Sequence, residues 1–166
     1  MSEVNVNVLA AIDAINLKYI EALDTKEMNK WLDVFSDDDM ASYICIAREN
    51  VSRGLPLALM MDDCRARLFD RVTYVTKIWA GTFEDYQTRH FVQRVRAEHI
   101  SDSDFKVWSN FSVLYTPESA GGSGVLAAGV YEDEIRLESD QSDGRILSRR
   151  AVLDTTVLPR YLVYPL

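Results

Sequence analysis

Two imidazoles and two thiols are the side chains here best suited to hold a metal or move protons, and their spacing limits what they can do. His90 and His99 are the only histidines, and both fall in residues 88–100, where apolar side chains alternate as in a β-strand. Nine positions is an odd interval, so in an unbroken strand the two rings point to opposite faces of the sheet. At about 3.3 Å per residue they stand roughly 30 Å apart. A site of two histidines and a carboxylate on one iron cannot be built from them. Cys45 and Cys64 are the only cysteines. A standard iron–sulfur cluster takes four, and a Rieske cluster takes two cysteines and two converging histidines. No metal site and no catalytic residue is therefore expected in this chain.

Other chemistries lack their motifs. Gly121-Gly122-Ser123-Gly124 has no Lys-Ser/Thr ending and precedes a strand, so it reads as a linker, not a phosphate loop. No G-x-S-x-G elbow is present. An acid–base reading survives. His90 would share a strand face with Val92 and Arg94, and His99 with Phe91, Val95 and Ala97. Beside a carboxylate such as Asp39, with Tyr43, a histidine could move protons in a dehydratase or isomerase. A histidine satisfied by a hydrogen bond is the simpler reading, because no partner spacing supports the catalytic one. Arg94, Arg96 and Glu98 read as one strand face, solvated or buried against a subunit. Trp31 fits a core stripe, while Trp79 and Trp108 suit an interface.

The elements that must position these residues follow from periodicity. Val8, Ile12, Ile15, Tyr19 and Leu23 form a helical stripe over about 8–23. Asp24 and Glu27 resemble a capping pair for a second helix, about 25–36, with Met28, Trp31, Leu32 and Phe35 on one side. Residues 40–47 suit a short strand with Cys45 in it. Gly54 and Pro56 break the chain before a third helix, about 57–72, which holds Cys64. Its early Asp62 and Asp63 and late Arg65, Arg67 and Arg71 suit the helix dipole. Residues 73–87 read as an irregular connection. Four long strands follow at about 88–100, 105–116, 125–138 and 145–157, with turns at 101–104, 117–124 and Asp143-Gly144. The apolar tail, 159–166, should dock on the domain. Helices followed by a strand meander indicate an α+β fold in one domain, 1–166.

Of the 166 residues 48% are apolar and 27% charged, the balance of a soluble globular protein. The net charge of −8 opposes nucleic-acid binding. No apolar run reaches a membrane span, and the N-terminus lacks the basic start of a secretion signal. Both cysteines then read as reduced, buried thiols of a cytoplasmic protein.

The order of several segments resembles the small (β) subunits of Rieske-type aromatic-ring-hydroxylating oxygenases. Tyr19-Ile20-Glu21-Ala22-Leu23-Asp24 and Trp31-Leu32-Asp33-Val34-Phe35 are similar to the family's opening helix pair. Asp63-Cys64-Arg65 through Leu68, Arg71 and Val72 resembles its third helix. Thr88-Arg89-His90-Phe91-Val92 and Ser109-Asn110-Phe111 resemble two of its strands. Gly129 through Asp133 with Arg136, and Ser148-Arg149-Arg150-Ala151-Val152-Leu153-Asp154, resemble the closing ones. The likeness runs almost end to end, although Phe83-Glu84-Asp85-Tyr86-Gln87 replaces the Pro and Ser that often precede Arg-His.

The resemblance implies a nuclear-transport-factor-2-like (cystatin-like) cone, with three N-terminal helices on a strongly curved, mixed, mostly antiparallel sheet. It implies a non-catalytic subunit in an α3β3 assembly that acts in aromatic catabolism. The partner large subunit would carry the Rieske 2Fe–2S cluster and a mononuclear Fe(II). A reductase, sometimes through a ferredoxin, would deliver electrons from NAD(P)H. Arg89, His90, Trp108, Asn110, Arg136, Arg149 and Arg150 are the expected interface or fold-determining residues. The alternatives are a stand-alone cone-fold dehydratase or isomerase, and a small-ligand binding module.

Overall fold

Asn5 starts the first helix: its side-chain oxygen accepts the N–H of Asn7 at 2.9 Å, satisfying one of the amides that a helix start leaves free. The computed structural model describes residues 4–119, 121–140 and 142–166. Helix α1 runs Val6–Asp24, and its stripe from Val8 to Leu23 is buried. Lys26, with φ of 60°, turns the chain out of it. Helix α2 is short, Met28–Asp33. Its expected extension to residue 36 is lost because Phe35 makes a parallel bridge to Ile146.

Strand β1 (Ser42–Ala47), helix α3 (Arg48–Ser52), strand β2 (Ala58–Asp62) and helix α4 (Arg65–Thr73) follow. The single helix expected over 57–72 is thus a strand and a helix. Residues 58–62 pair antiparallel with β1, with Cys45 opposite Met60, and Met60 is buried while Leu59 and Met61 are exposed. The open edge of β1 overrides the local helical preference of this segment. Asp62 ends that strand, and Cys64 is the N-cap of α4. The connection expected at 73–87 begins with a π-helical turn, Tyr74–Ile78.

Strands β3 (Tyr86–His99), β4 (Asp104–Pro117), β5 (Gly124–Leu137) and β6 (Gly144–Leu153) form the predicted meander. Ala120, within the predicted 117–124 turn, lies outside the described residues. The last strand stops four residues short of the expected 157. The six strands lie in the order β2-β1-β6-β5-β4-β3, and only β1 and β6 are parallel. The curled sheet wraps the helices as a cone. Inside sit Tyr19, Trp31, Phe35, Tyr43, Phe105 and Tyr131, each at most 1% exposed. Each such buried ring contributes on the order of 1.5–3 kcal/mol.

Candidate functional site: a histidine–carboxylate pair and a buried arginine in the cone

Strand β3 is not regular. Arg94 pairs with Ser109 and Arg96 with Trp108, leaving Val95 as an unpaired bulge residue. An extra residue inverts the alternation beyond it. His90 lies opposite Val113 and His99 opposite Phe105, both inward positions of β4. The two histidines therefore face the same side, contrary to the opposite-face expectation. They remain eight β4 positions apart, roughly 27 Å, so one ion still cannot bridge them. Arg94 likewise faces inward, with Val92 and His90, and binds Asp13 of α1 through two contacts of 2.7 and 3.0 Å. Arg96 and Glu98 face outward, so the three do not share a face. His99 is exposed and rests on Phe105, ring centroids 4.7 Å apart.

The His90 side chain is 1% exposed and bound to Asp24, the last residue of α1. Its Nδ1 is 2.6 Å from Asp24 Oδ1, its backbone N–H donates to Oδ2 at 3.0 Å, and the Thr88 hydroxyl donates to Oδ1 at 2.8 Å. An ionised carboxylate only accepts, so the ring proton on this side belongs to Nδ1. Burial pushes the Asp24 carboxyl up, but the bonds from His90 and Thr88 outweigh it and hold it below the usual range. The partner expected for a histidine was Asp39 with Tyr43. Asp39 instead accepts the N–H of Arg65 on its backbone oxygen, and Tyr43 binds Leu166. Asp24 does not cap α2 either: the N-cap there is Glu27, without a side-chain bond. His90 Nε2 is buried without a partner.

A second cluster lies deeper. Arg149 and Asp133 face each other in the β5–β6 register, and both side chains are 0% exposed. Arg149 donates to Asp133 at 2.9 and 2.7 Å and to Asn16 Oδ1 at 2.5 Å. Its guanidinium lies between the rings of Tyr19 and Tyr131, 4.0 and 4.2 Å from their centroids. Burial disfavours the arginine's charge, and the Asp133 charge and hydrogen bonds more than restore it. Desolvation of this kind is tolerated here because the charges are paired, although Arg149 Nη1 is buried without a partner.

The seven expected residues divide by face. His90 and Arg149 are internal. Arg89, Trp108, Asn110, Arg136 and Arg150 all point outward from the sheet. Arg96 covers Trp108 at 3.8 Å, Arg150 reaches Glu132 at 3.2 Å, and Arg136 grips Asp104 at 2.7 and 2.9 Å. Trp31 is core, as expected. Asp24 is read from the sequence only as a helix cap, Asp133 only within the family likeness, and Asn16 not at all; nothing local marks their partners, which are 66, 16 and 133 positions away.

Among the described residues no three His, Cys, Asp or Glu side chains gather as ligands. Burial pushes the Cys45 thiol up to about 12, which keeps it protonated at neutral pH. Among the described residues no helix is long and apolar enough to cross a membrane.

The ring hydroxylating beta subunit profile matches residues 19–160. The chain belongs to this family. A structure of the beta subunit assigned to an aromatic-ring-hydroxylating dioxygenase of Novosphingobium aromaticivorans is 30% identical, with 89% of this chain and 90% of that one covered and a TM-score of 0.77. The benzoate 1,2-dioxygenase beta subunit of Burkholderia mallei is 22% identical, over 92% and 93% of the chains, at 0.70. A protein of N. aromaticivorans assigned as a scytalone dehydratase shares the fold at 17% identity, over 94% and 89%, at 0.66. Comparison with curated protein sequences gives no match. Among these ring hydroxylating beta subunits the cone is the common fold.

Proposed function

We propose that this beta subunit is a non-catalytic scaffold that holds iron-bearing large subunits together in a cytoplasmic α3β3 oxygenase acting in aromatic catabolism. The Rieske cluster and the mononuclear iron belong to the large subunit, fed from NAD(P)H by a reductase, with or without a ferredoxin. The observation that carries this reading is the enclosure of His90. The one histidine paired with a carboxylate has a side chain 1% exposed and a backbone tied into the same carboxylate, and no substrate atom can reach it in this conformation. General acid–base work needs the group within hydrogen-bond reach of the reacting proton. The outward residues Arg89, Trp108, Asn110, Arg136 and Arg150 supply the surface for the large subunit, with the aromatic and arginine content typical of such contacts. Co-expression with the large subunit, followed by native mass measurement, tests this. A mixed complex with equal numbers of both chains is expected. A stable, active homo-oligomer of this chain alone overturns it.

The Asp24–His90 contact favours a second reading, an acid–base enzyme of the dehydratase or isomerase type. That reading requires the cone to open far enough to wet His90 Nε2. His90→Asn would then abolish turnover of an aromatic hydroxy-ketone by the isolated chain. Under the scaffold reading there is no such turnover to lose.

A further inference from the structure

Residues 163–166 lie buried inside the cone in the manner of a bound molecule. Residues 155–166 join no strand ladder. Their innermost part is held by tyrosine hydroxyls. Tyr86 accepts the N–H of Val163 at 3.2 Å, and Tyr43 accepts the N–H of Leu166 at 2.9 Å. The Leu166 carbonyl oxygen takes the Tyr19 hydroxyl at 2.7 Å, with the Tyr43 hydroxyl at 3.4 Å. Leu166 is 1% exposed. Trp31 packs on both Tyr19 and Tyr43, and Tyr131 packs on Tyr19. The Tyr131 hydroxyl is buried with no partner. The chamber thus carries more polar groups than the tail uses. Burial raises the Tyr19 hydroxyl to about 12, so it stays a donor. A cleft bordered by Lys26, Met28, Phe83, Asp85 and Tyr164 opens beside the tail.

We propose that the Tyr19–Tyr43 hydroxyl pair, inside the Trp31–Tyr131 cage, is a binding site for a compact apolar molecule bearing a carbonyl or phenolate oxygen, and that Leu166 occupies it in cis. Two phenol donors converging on one oxygen suit an acceptor that carries partial or full negative charge. The walls are aromatic, and the Arg149 guanidinium stacked behind Tyr19 and Tyr131 is paired with Asp133, so the rest of the ligand is apolar. No sheet hydrogen bond breaks when residues 162–166 leave. A tethered occupant competes at millimolar effective concentration, so it masks the site from weak ligands.

The test uses 4-nitrophenol, read by its absorbance shift and by calorimetry. A variant stopping at Tyr161 is expected to bind it about tenfold or more tighter than the intact chain. Tyr19→Phe with Tyr43→Phe, placed in the shortened chain, is expected to remove that gain. Equal binding by shortened and intact chains, or a gain that survives the double change, overturns the proposal. The intact chain gives an independent readout should the shortened one not fold. The amides of Val163 and Leu166 are expected to exchange with solvent well ahead of those of Tyr131 and Ile135, and faster still under saturating 4-nitrophenol. Exchange in step with Tyr131 and Ile135, unmoved by the probe, overturns it equally.

Discussion

Asp24 Oδ1 and His90 Nδ1, 2.6 Å apart, tie the last residue of α1 to an inward position of β3. Three turns earlier on the same helix, Asp13 meets Arg94, four positions further along the same strand. A helix rises about 1.5 Å per residue and a strand about 3.3 Å, so 11 helical steps match four strand steps to within a few ångströms. The two pairs rivet the helix along the strand. Asp24→Asn leaves the Thr88, His90 ring and His90 backbone donors sharing one neutral acceptor. The expected cost is about 1–3 kcal/mol, measured as a lower urea midpoint at an unchanged slope. No loss of stability would remove Asp24 from the set of fold determinants.

The same pair sets an acid dependence. The folded-state value of Asp24 lies below its unfolded value of 3.8. A depressed carboxylate contributes stability that is fully present above the unfolded value and is lost as the pH falls through the folded one. Stability of the parent chain should therefore drop more steeply below about pH 4 than that of Asp24→Asn. Urea titrations at several pH values between neutral and strongly acidic check this. Parallel curves would mean that Asp24 has no protected charge.

Arg149 and Asp133 are a stronger case, because neither has water to fall back on. Asp133→Leu strands a guanidinium between two tyrosine rings, and about 3–5 kcal/mol of stability should be lost. The double change Asp133→Leu with Arg149→Met removes both charges and should cost much less than the two single changes summed. Thermal melting of the four proteins gives the comparison. Additive losses would show that the two residues do not act as a unit.

Much of this architecture was legible. The α1 stripe, the four long strands and the docking tail follow from periods of 3.6 and 2 and from an apolar segment that water would not tolerate. Three things were not. Residues 58–62 have the composition of a helix and become a strand because β1 offers an unpaired edge. The Val95 bulge leaves no mark in composition, yet it moves His99 to the side of His90. The partners of His90 and Arg149 come from helix α1 and from strand register, so they exist only once the sheet is placed. Arg149 could be singled out through the family likeness, but its burial could not.

Gly129 tests the sheet's close approach at β6. A Cβ built there would lie 2.0 Å from the Val152 carbonyl oxygen, a backbone atom that cannot swing aside. Gly129→Ala should force β5 and β6 apart and cost on the order of 1–3 kcal/mol. Gly122→Ala, which meets nothing within 4 Å, serves as its control. Melting temperatures that fall equally for both would contradict the packing at this strand pair.

The outward face is where the scaffold role meets a direct measurement. Trp108 lies under Arg96 with Arg150 and Glu132 beyond it, and none of these side chains supports the cone's interior. Trp108→Ala should leave the melting temperature of the isolated subunit nearly unchanged. If this face meets the large subunit, the same change removes an aromatic anchor worth at least about 1.4 kcal/mol, a tenfold loss of affinity. Phe69→Ala on α4 removes a more exposed ring from a different part of the surface and should not affect assembly. Titration of each variant against the large subunit, with native mass as the readout, separates the two. Wild-type affinity for Trp108→Ala, or a loss for Phe69→Ala alone, would move the interface away from β3 and β4 and toward the helical side.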